Sequence, residues 1–327
     1  METGAFASMF APLLAGIVSI VTMAALRRSR GLPLDKPNER SLHVVPVPRT
    51  GGIAIIAGLI VAGLWLRASP GLLVPTVALA FISYFDDRHA LPAGVRLLMH
   101  LAAAGVFLWL DGDFAAVVLL VVLWLAIAWM TNLYNFMDGS DGLAGGMAVI
   151  GFGTYGLAAW FGGNRELELL AWAIAAAAAG FLIFNFPPAK IFMGDVGSIP
   201  LGFLAAAFGV VGWQQGLWPF WFPVVVFAPF IVDASVTLAR RVLRGERIWE
   251  AHRQHYYQRL ILSGWTHRRA AVSEYGLMIV CGVAALIGLR QPPAGQLVLI
   301  FGLALTFFAA MWAVDRRWKR FCGTAHG

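Results

Sequence analysis

Four stretches of this sequence place carboxylates, carboxamides and cations where apolar runs end. Asp86 and Asp87 close one run in "YFDDRHALPAGVR". Asn132, Asn135, Asp138 and Asp141 follow one another at intervals of three in "NLYNFMDGSDGLAGG". Asp195 sits among small residues in "NFPPAKIFMGDVGS", and His252, Arg253, His255 and Arg259 gather in "AHRQHYYQRL". Oxygen donors without cysteine suit a hard cation, and magnesium takes one or two protein carboxylates while it also holds phosphate oxygens and water. Arginines suit the remaining phosphate charge, because a guanidinium meets two oxygens at once. The residues alone point to magnesium-assisted phosphoryl transfer at a membrane surface.

Each stretch also has a plainer reading. Paired aspartates are what a solvated helix end looks like, although negative charge there opposes the helix dipole. Gly139 and Gly142 fit a helix C-cap, but a cap does not require four polar side chains at intervals of three. Side chains three apart share one side of a helix, so Asn132 and Asn135, and Asn135 and Asp138, are able to converge. His252, His255 and Arg259 would likewise share a helical face as an anion-binding surface. No glutamate follows the first histidine, as a zinc-protease motif requires. A juxtamembrane patch for anionic lipid is the plain reading of the arginines around them.

The elements that must position these groups are membrane helices. The chain has 327 residues, of which 60% are hydrophobic and only 13% charged; a soluble domain carries about a quarter charged residues. Apolar stretches of sufficient length recur at 5–26, 51–66, 70–85, 96–110, 114–131, 142–161, 167–184, 197–213, 217–239, 270–289 and 295–314. Backbone groups in lipid must satisfy one another, so an all-α, polytopic bundle of about eleven transmembrane helices is expected. Residues 1–327 read as a single integral membrane domain with no internal repeat. The first helix is followed by "RRSR" and preceded by Glu2 without lysine or arginine, the pattern of an uncleaved span rather than a signal peptide.

Placing the N-terminus in the periplasm puts the C-terminus in the cytoplasm. It also makes 27–50, 86–96, 132–141, 185–196 and 240–269 cytoplasmic loops. These loops and the tail from 315 then hold 21 of the 24 lysines and arginines, leaving Arg67, Arg165 and Arg290 outside. That is the positive-inside bias. It accounts for most of the +7 net charge without nucleic acid as a partner. Cys281 and Cys322 show no metal-type spacing and imply no disulfide framework. All four polar stretches fall on the cytoplasmic side.

In their order, "SLHVVPVPRTGG", "FDD", "NLYNFMDGSDGLAGG", "NFPPAKIFMGDVGS" and "HRQHYYQRL" resemble the polyprenyl-phosphate N-acetylhexosamine-1-phosphate transferases, glycosyltransferase family 4. The similarity spans roughly residues 35–260. It implies transfer of an N-acetylhexosamine-1-phosphate from a UDP-sugar to undecaprenyl phosphate at the cytoplasmic face, with release of UMP. The resemblance places Asp86, Asp87 and Asp138 among catalytic residues, and Asn135 and Asp195 at a magnesium ion for which manganese can substitute. His43, Arg49, Arg96, Asn132, Asp141, Asn185, His252, Arg253 and His255 would bind substrate, with Gly51 and Gly52 in the same first loop as Arg49.

The HRQH loop is unlike the His-rich loop of the phospho-N-acetylmuramoyl-pentapeptide transferases and closer to the enzymes that initiate O-antigen or capsule. Multi-pass residence in the bacterial inner membrane follows, with membrane lipid as a partner and a homodimer as a compatible assembly. The rival from another class is a secondary transporter for an anionic substrate, whose charged groups would meet near the bilayer midplane between related halves. The CDP-alcohol phosphotransferases place Ala-Arg after their first Asp-Gly and space later aspartates by four, and "DGSDGLAGG" has neither feature.

Overall fold

In the computed structural model, residues 8–29, 31–35, 37, 42, 45–89, 91–114, 116–247 and 252–324 are described. His43 lies outside them. Among the described residues the fold is all-helical apart from one two-residue ribbon. The helices are α1 (Ala11–Arg28), α2 (Gly52–Leu66), α3 (Pro70–His89), α4 (Ala93–Asp111), α5 (Val117–Phe136), α6 (Leu143–Phe161) and α7 (Arg165–Asn185). They continue as α8 (Asp195–Gln214), α9 (Trp221–Val226), α10 (Ala228–Leu243), α11 (Tyr256–Leu262), α12 (His267–Gly288) and α13 (Pro293–Thr324). Eight of them, α1, α4 to α8, α12 and α13, are long and apolar enough to cross a membrane. With this pattern the chain is a multi-pass membrane protein.

Each expected span has a helix, with three differences. The stretch 217–239 is two helices, since the run breaks at Phe227. Pro229 enters the first turn of α10 without an N–H and cannot continue the hydrogen-bond ladder of α9. Helix α5 runs on to Phe136, so Asn132 and Asn135 belong to its last turns rather than to a loop. Helix α8 starts at Asp195, directly after Gly194 with φ of 72°. The acid thereby occupies the first turn, where the helix dipole favours negative charge.

Lipid gives helices no hydrophobic reason to associate, so close packing through small residues takes over. Helix α7 carries "AIAAAAAG" and packs against α1, α2 and α6. A side chain at Gly58 of α2 would come within 2.6 Å of the Ala15 carbonyl, and one at Gly180 within 3.0 Å of the Gly16 carbonyl. Ser19 donates to the Ala177 carbonyl at 2.7 Å across the same contact. Helix α8 is the most enclosed of the eight, set between α3 and α5.

One junction matters most for the site. The first loop forms a short antiparallel ribbon, β1 (Leu34–Asp35) with β2 (Val47–Pro48). The chain after β2 is zipped to the segment that leads into α8. Phe192 donates its N–H to Pro48 O at 2.7 Å, Gly51 to Phe192 O at 2.9 Å, and Gly52 to Met193 O at 2.8 Å. A Cβ on Gly52 would fall 2.3 Å from the Gly197 backbone, so the amino ends of α2 and α8 meet as bare main chain. "RTGG" and "FMGDVG" are thus one unit of backbone.

Candidate active site

That unit is one wall of a polar cavity of about 240 Å³ at the end of the bundle where α5 stops and α8 begins. Asp35, Arg49, Asp87, Asn135, Asp138 and Asp195 line it, with Ser140, Asp141, Asn185, Gln258 and His267 around the rim. Five separate chain segments meet here, and all four polar stretches singled out above are among them, the last through Gln258 alone.

The acids differ in what they touch. Asp87 is buried at the end of α3, with one carboxylate oxygen 3.6 Å from Arg49 Nε. The Arg49 guanidinium also donates to the Asp87 carbonyl. The other oxygen, Oδ2, is buried and has no hydrogen-bond partner. It sits where a Cβ on Gly194 would come within 3.0 Å, so that glycine keeps the space open. Asp86 turns the other way. It accepts the Leu91 N–H at 2.6 Å and lies 3.7 Å from Arg96 Nη1. Arg96 also reaches to 3.9 Å from Asp195, joining α3 to α8.

Asn135 hydrogen-bonds the Asp195 carboxylate, and its Oδ1 accepts from Ser198 at 3.2 Å. Asp138 follows one turn later, in the cavity wall. Burial first, and then the charges of Asp195, Asp87 and Asp35, raise its carboxyl well above the ordinary carboxylate range. Four acids thus face one small volume with Arg49 as the nearest cation, a net negative site that a cation would relieve.

Among the described residues, no three His, Cys, Asp or Glu side chains are placed to cage a metal ion. A cation here would have to be held by one or two carboxylates and an amide oxygen, with the rest of its shell from water and substrate, the habit of magnesium. The orphaned Oδ2 of Asp87 and the repulsion among its neighbours fit that demand.

The rim is built from bridges between loops. Buried Asn185 accepts the Gly142 N–H at 2.9 Å and donates to the Ile191 carbonyl at 2.9 Å, tying the start of α6 to the segment before α8. Asp141 accepts the Ala189 N–H at 2.9 Å and approaches His267 at 3.6 Å. His267 in turn contacts Ser140 Oγ at 3.0 Å and the Leu42 carbonyl at 3.2 Å, drawing the first loop over the rim.

Residues 69–212 match the profile of glycosyl transferase family 4. A probable undecaprenyl-phosphate N-acetylglucosaminyl 1-phosphate transferase of Bacillus subtilis is 30% identical over 276 residues, 78% of this chain and 76% of the relative. Undecaprenyl-phosphate alpha-N-acetylglucosaminyl 1-phosphate transferases of Yersinia pestis and Escherichia coli K12 are 28% identical over 321 and 319 residues. Each of those matches covers 88% of this chain, with 85% and 84% of the respective relative. The chain belongs to glycosyl transferase family 4. It is a member of the polyprenyl-phosphate hexosamine-1-phosphate transferase superfamily.

In this family 4 transferase the HRQH stretch departs from expectation. His252 and Arg253 precede α11, and His255 is its N-cap, so the two histidines and Arg259 do not share a helical face. His255 is buried, and its Nδ1 lies 3.1 Å from Asp233 Oδ1 of α10. The same carboxylate accepts the N–H groups of Tyr256 at 3.0 Å and Tyr257 at 3.1 Å. A carboxylate against free N–H groups is what a helix start favours. Arg259 points to Asp315 of α13 at 2.9 Å, not to the cavity. From α11 only Gln258 lines the cavity, and Arg253 is exposed. His252 lies beside His255, with ring centroids 4.9 Å apart and the rings tilted by 34°. Asn132 lies one turn behind Asn135 and is not among the lining residues.

Asp233, His267, Gln258, Asp35 and Ser198 are the members that sequence reading passed over. Asp233 did leave a signal, a lone acid in the apolar stretch 217–239. His267 left none, because its partners lie more than a hundred residues away.

Proposed function

We propose that this transferase moves an N-acetylhexosamine-1-phosphate from a UDP-sugar to undecaprenyl phosphate and releases UMP, starting an O-antigen or other surface polysaccharide. The observation that carries the reading is the polar cavity of Asp87, Asn135, Asp138, Asp195 and Arg49 at one end of an apolar bundle. Relatives named for undecaprenyl phosphate and N-acetylglucosamine 1-phosphate supply the chemistry. The acceptor stays in the bilayer and the nucleotide in water, and the reacting oxygens meet between them. Nothing in the comparisons favours a transporter.

The same reading places the site on the cytoplasmic face of the inner membrane, with the N-terminus periplasmic and the C-terminus inside. Counting α2, α3 and the broken α9–α10 pair as crossings would give eleven spans. The fifteen-residue α2 spans about 22 Å at 1.5 Å per residue, so it would need a local thinning of the bilayer. A homodimer is compatible with the surfaces left free.

The acceptor phosphate monoester has a second pKa near ~6 and is largely ionised at neutral pH, so a strong base is hardly needed. Its oxygen attacks the β-phosphorus of the donor in line. The new P–O bond forms as the bond to the α-phosphate oxygen breaks, and UMP leaves with that electron pair. The obstacle is the approach of two anions, about 4 kcal/mol for unit charges at ~4 Å with an effective dielectric near ~20. Asn135 and Asp195 would hold magnesium, or manganese in its place. Bound there, the ion would neutralise diphosphate charge and assist the departure of UMP. Arg49 and Arg96 place positive charge beside Asp87, Asp86 and Asp195 and would receive phosphate oxygens. Asp87, which faces the cavity, would orient the attacking oxygen, and Asp86 would hold Arg96 in place. Asp138 would take a remaining proton. Asp141, Asn185 and His267 would shape the nucleotide side.

The test is UMP release by the purified protein with undecaprenyl phosphate and magnesium across a panel of UDP-N-acetyl sugars. Lipid-dependent release with one sugar supports both reaction and donor. Folded protein that stays silent across the panel sinks this reading for those donors.

A further inference from the structure

The last helix carries a second feature that the transfer reaction does not use. Helix α13 has 32 residues, about 48 Å at 1.5 Å per residue, longer than a hydrocarbon core of about 30 Å. Its C-terminal turns therefore emerge from the apolar layer, and Arg316, Arg317, Lys319 and Arg320 lie in them. One face changes character along its length. Leu305, Phe308 and Trp312 are exposed at 54%, 67% and 50%, and Arg316 and Arg320 continue the same face at intervals of four.

At that transition there is an open cleft of about 480 Å³ against the end of α11, lined by Ser263, Trp312, Arg316, Arg317, Arg320 and Phe321. Arg317 forms its wall, with Nε donating to Ser263 Oγ at 2.8 Å and the guanidinium donating to the Ser263 carbonyl. Arg316 lies over the Trp312 ring, 3.5 Å from its centroid, which fixes the guanidinium at the depth of an interfacial tryptophan. Among the described lining residues there is no carboxylate. The nearby Asp315 is turned to Arg240 and Arg259 at 2.9 Å each.

We infer that this cleft binds one anionic phospholipid of the bilayer. Its phosphate lies against Arg316 and Arg320, and its acyl chains run along Leu305 and Phe308. Basic pockets at the cytoplasmic ends of membrane helices select such headgroups, because a zwitterionic lipid brings its own ammonium into the same field. The cleft is separate from the cavity at Asp195, and the inference does not rest on the proposed reaction. Occupancy would nonetheless reach the active site mechanically. Arg317 clasps the C-terminal end of α11 and Asp315 holds Arg259, while the N-terminal part of the same helix supplies Gln258 to the cavity.

The experiment is native mass spectrometry of the full-length protein with equal amounts of phosphatidylglycerol and phosphatidylcholine, so no turnover is needed. The expected result is several-fold more phosphatidylglycerol retained by the wild type. That preference should fall to near one in the Arg316→Gln/Arg320→Gln variant and largely survive in Arg316→Lys/Arg320→Lys. An Arg268→Gln/Arg269→Gln variant, altered at another basic helix end, should keep it. An unchanged thermal midpoint shows that each variant is folded; if the double variant does not fold, Arg316→Gln alone must still lower the preference. Equal retention by the wild type, a preference untouched by the glutamines, or an equal loss in the Arg268/Arg269 variant overturns the site. Displacement of phosphatidylglycerol by equimolar undecaprenyl phosphate assigns the cleft to the acceptor and overturns it too.

Discussion

Asp233 and His255 lie 22 positions apart and meet as a buried pair, Oδ1 to Nδ1 at 3.1 Å, at the start of the short helix α11. Because that carboxylate also receives the N–H groups of Tyr256 and Tyr257, it fixes both the helix end and the imidazole. Replacing Asp233 by Asn removes the charge and turns one acceptor into a donor facing N–H groups. Hydrogen bonds to a charged group are worth about 1.5–3 kcal/mol each. Asp233→Asn should lower the thermal midpoint by several degrees and reduce turnover through a displaced Gln258. A midpoint and a turnover both equal to wild type would remove Asp233 from this role.

Gly139 makes a complementary prediction. A Cβ there would stand 2.2 Å from Tyr257 Oη, which donates to the Phe136 carbonyl at 3.3 Å. Forcing an extra methyl group into such a contact costs about 1–3 kcal/mol. Gly139→Ala should be destabilised and slow, and adding Tyr257→Phe should recover part of the loss because the clashing oxygen is gone. A double-mutant cycle reads this directly, and strict additivity would contradict the contact.

For Asp195 the expectation concerns chemistry and not folding. Its side chain is held by Asn135 and reached by Arg96, and the cavity is its outlet. Asp195→Asn should cut turnover by at least about 100-fold, the scale of losing one electrostatic contact to a transition state. The thermal midpoint should rise slightly or stay level, since one of several mutually repelling acids has been neutralised. Near-normal turnover would break the assignment of Asp195 to the cation.

His252 predicts an acid-sensitive stability. Burial, then the neighbouring charges of His255 and Arg241, lower its pKa from 6.5 to about 4. A depressed folded value means that the unfolded chain binds the proton first as pH falls. The contribution of His252 is therefore complete above about 6.5 and is lost between there and about 4. Thermal midpoints in detergent should fall over that interval, and His252→Gln should flatten the fall. Parallel curves for the two proteins would show that His252 is not the group responsible.

Much of the cavity was legible in one dimension. Asp87, Asn135, Asp138 and Asp195 announce themselves as oxygens where apolar runs stop, and lipid leaves few other reasons for such residues. The helices were equally plain, because a span is a local property of twenty residues. What escaped depends on partners far along the chain. "HRQHYYQRL" has helical spacing, yet the helix begins only at Tyr256, because Asp233 stands at its start. Asn185 looks like a ligand by its place in "NFPP" but spends both ends of its amide on Gly142 and Ile191. The break at Phe227 left a signal in Pro229, which the unbroken hydrophobicity of the residues around it outweighed.

The contact of α1 and α2 with α7 bears on how the protein is made. Both early helices present glycines and a serine to a partner that leaves the ribosome more than a hundred residues later. Until then their small-residue faces have only each other and lipid beside them. The chain after β2 likewise waits for Phe192 and Met193. No truncated chain that ends before α8 should therefore retain a nucleotide, and the α1–α2 pair must keep one face open in the membrane until α7 arrives.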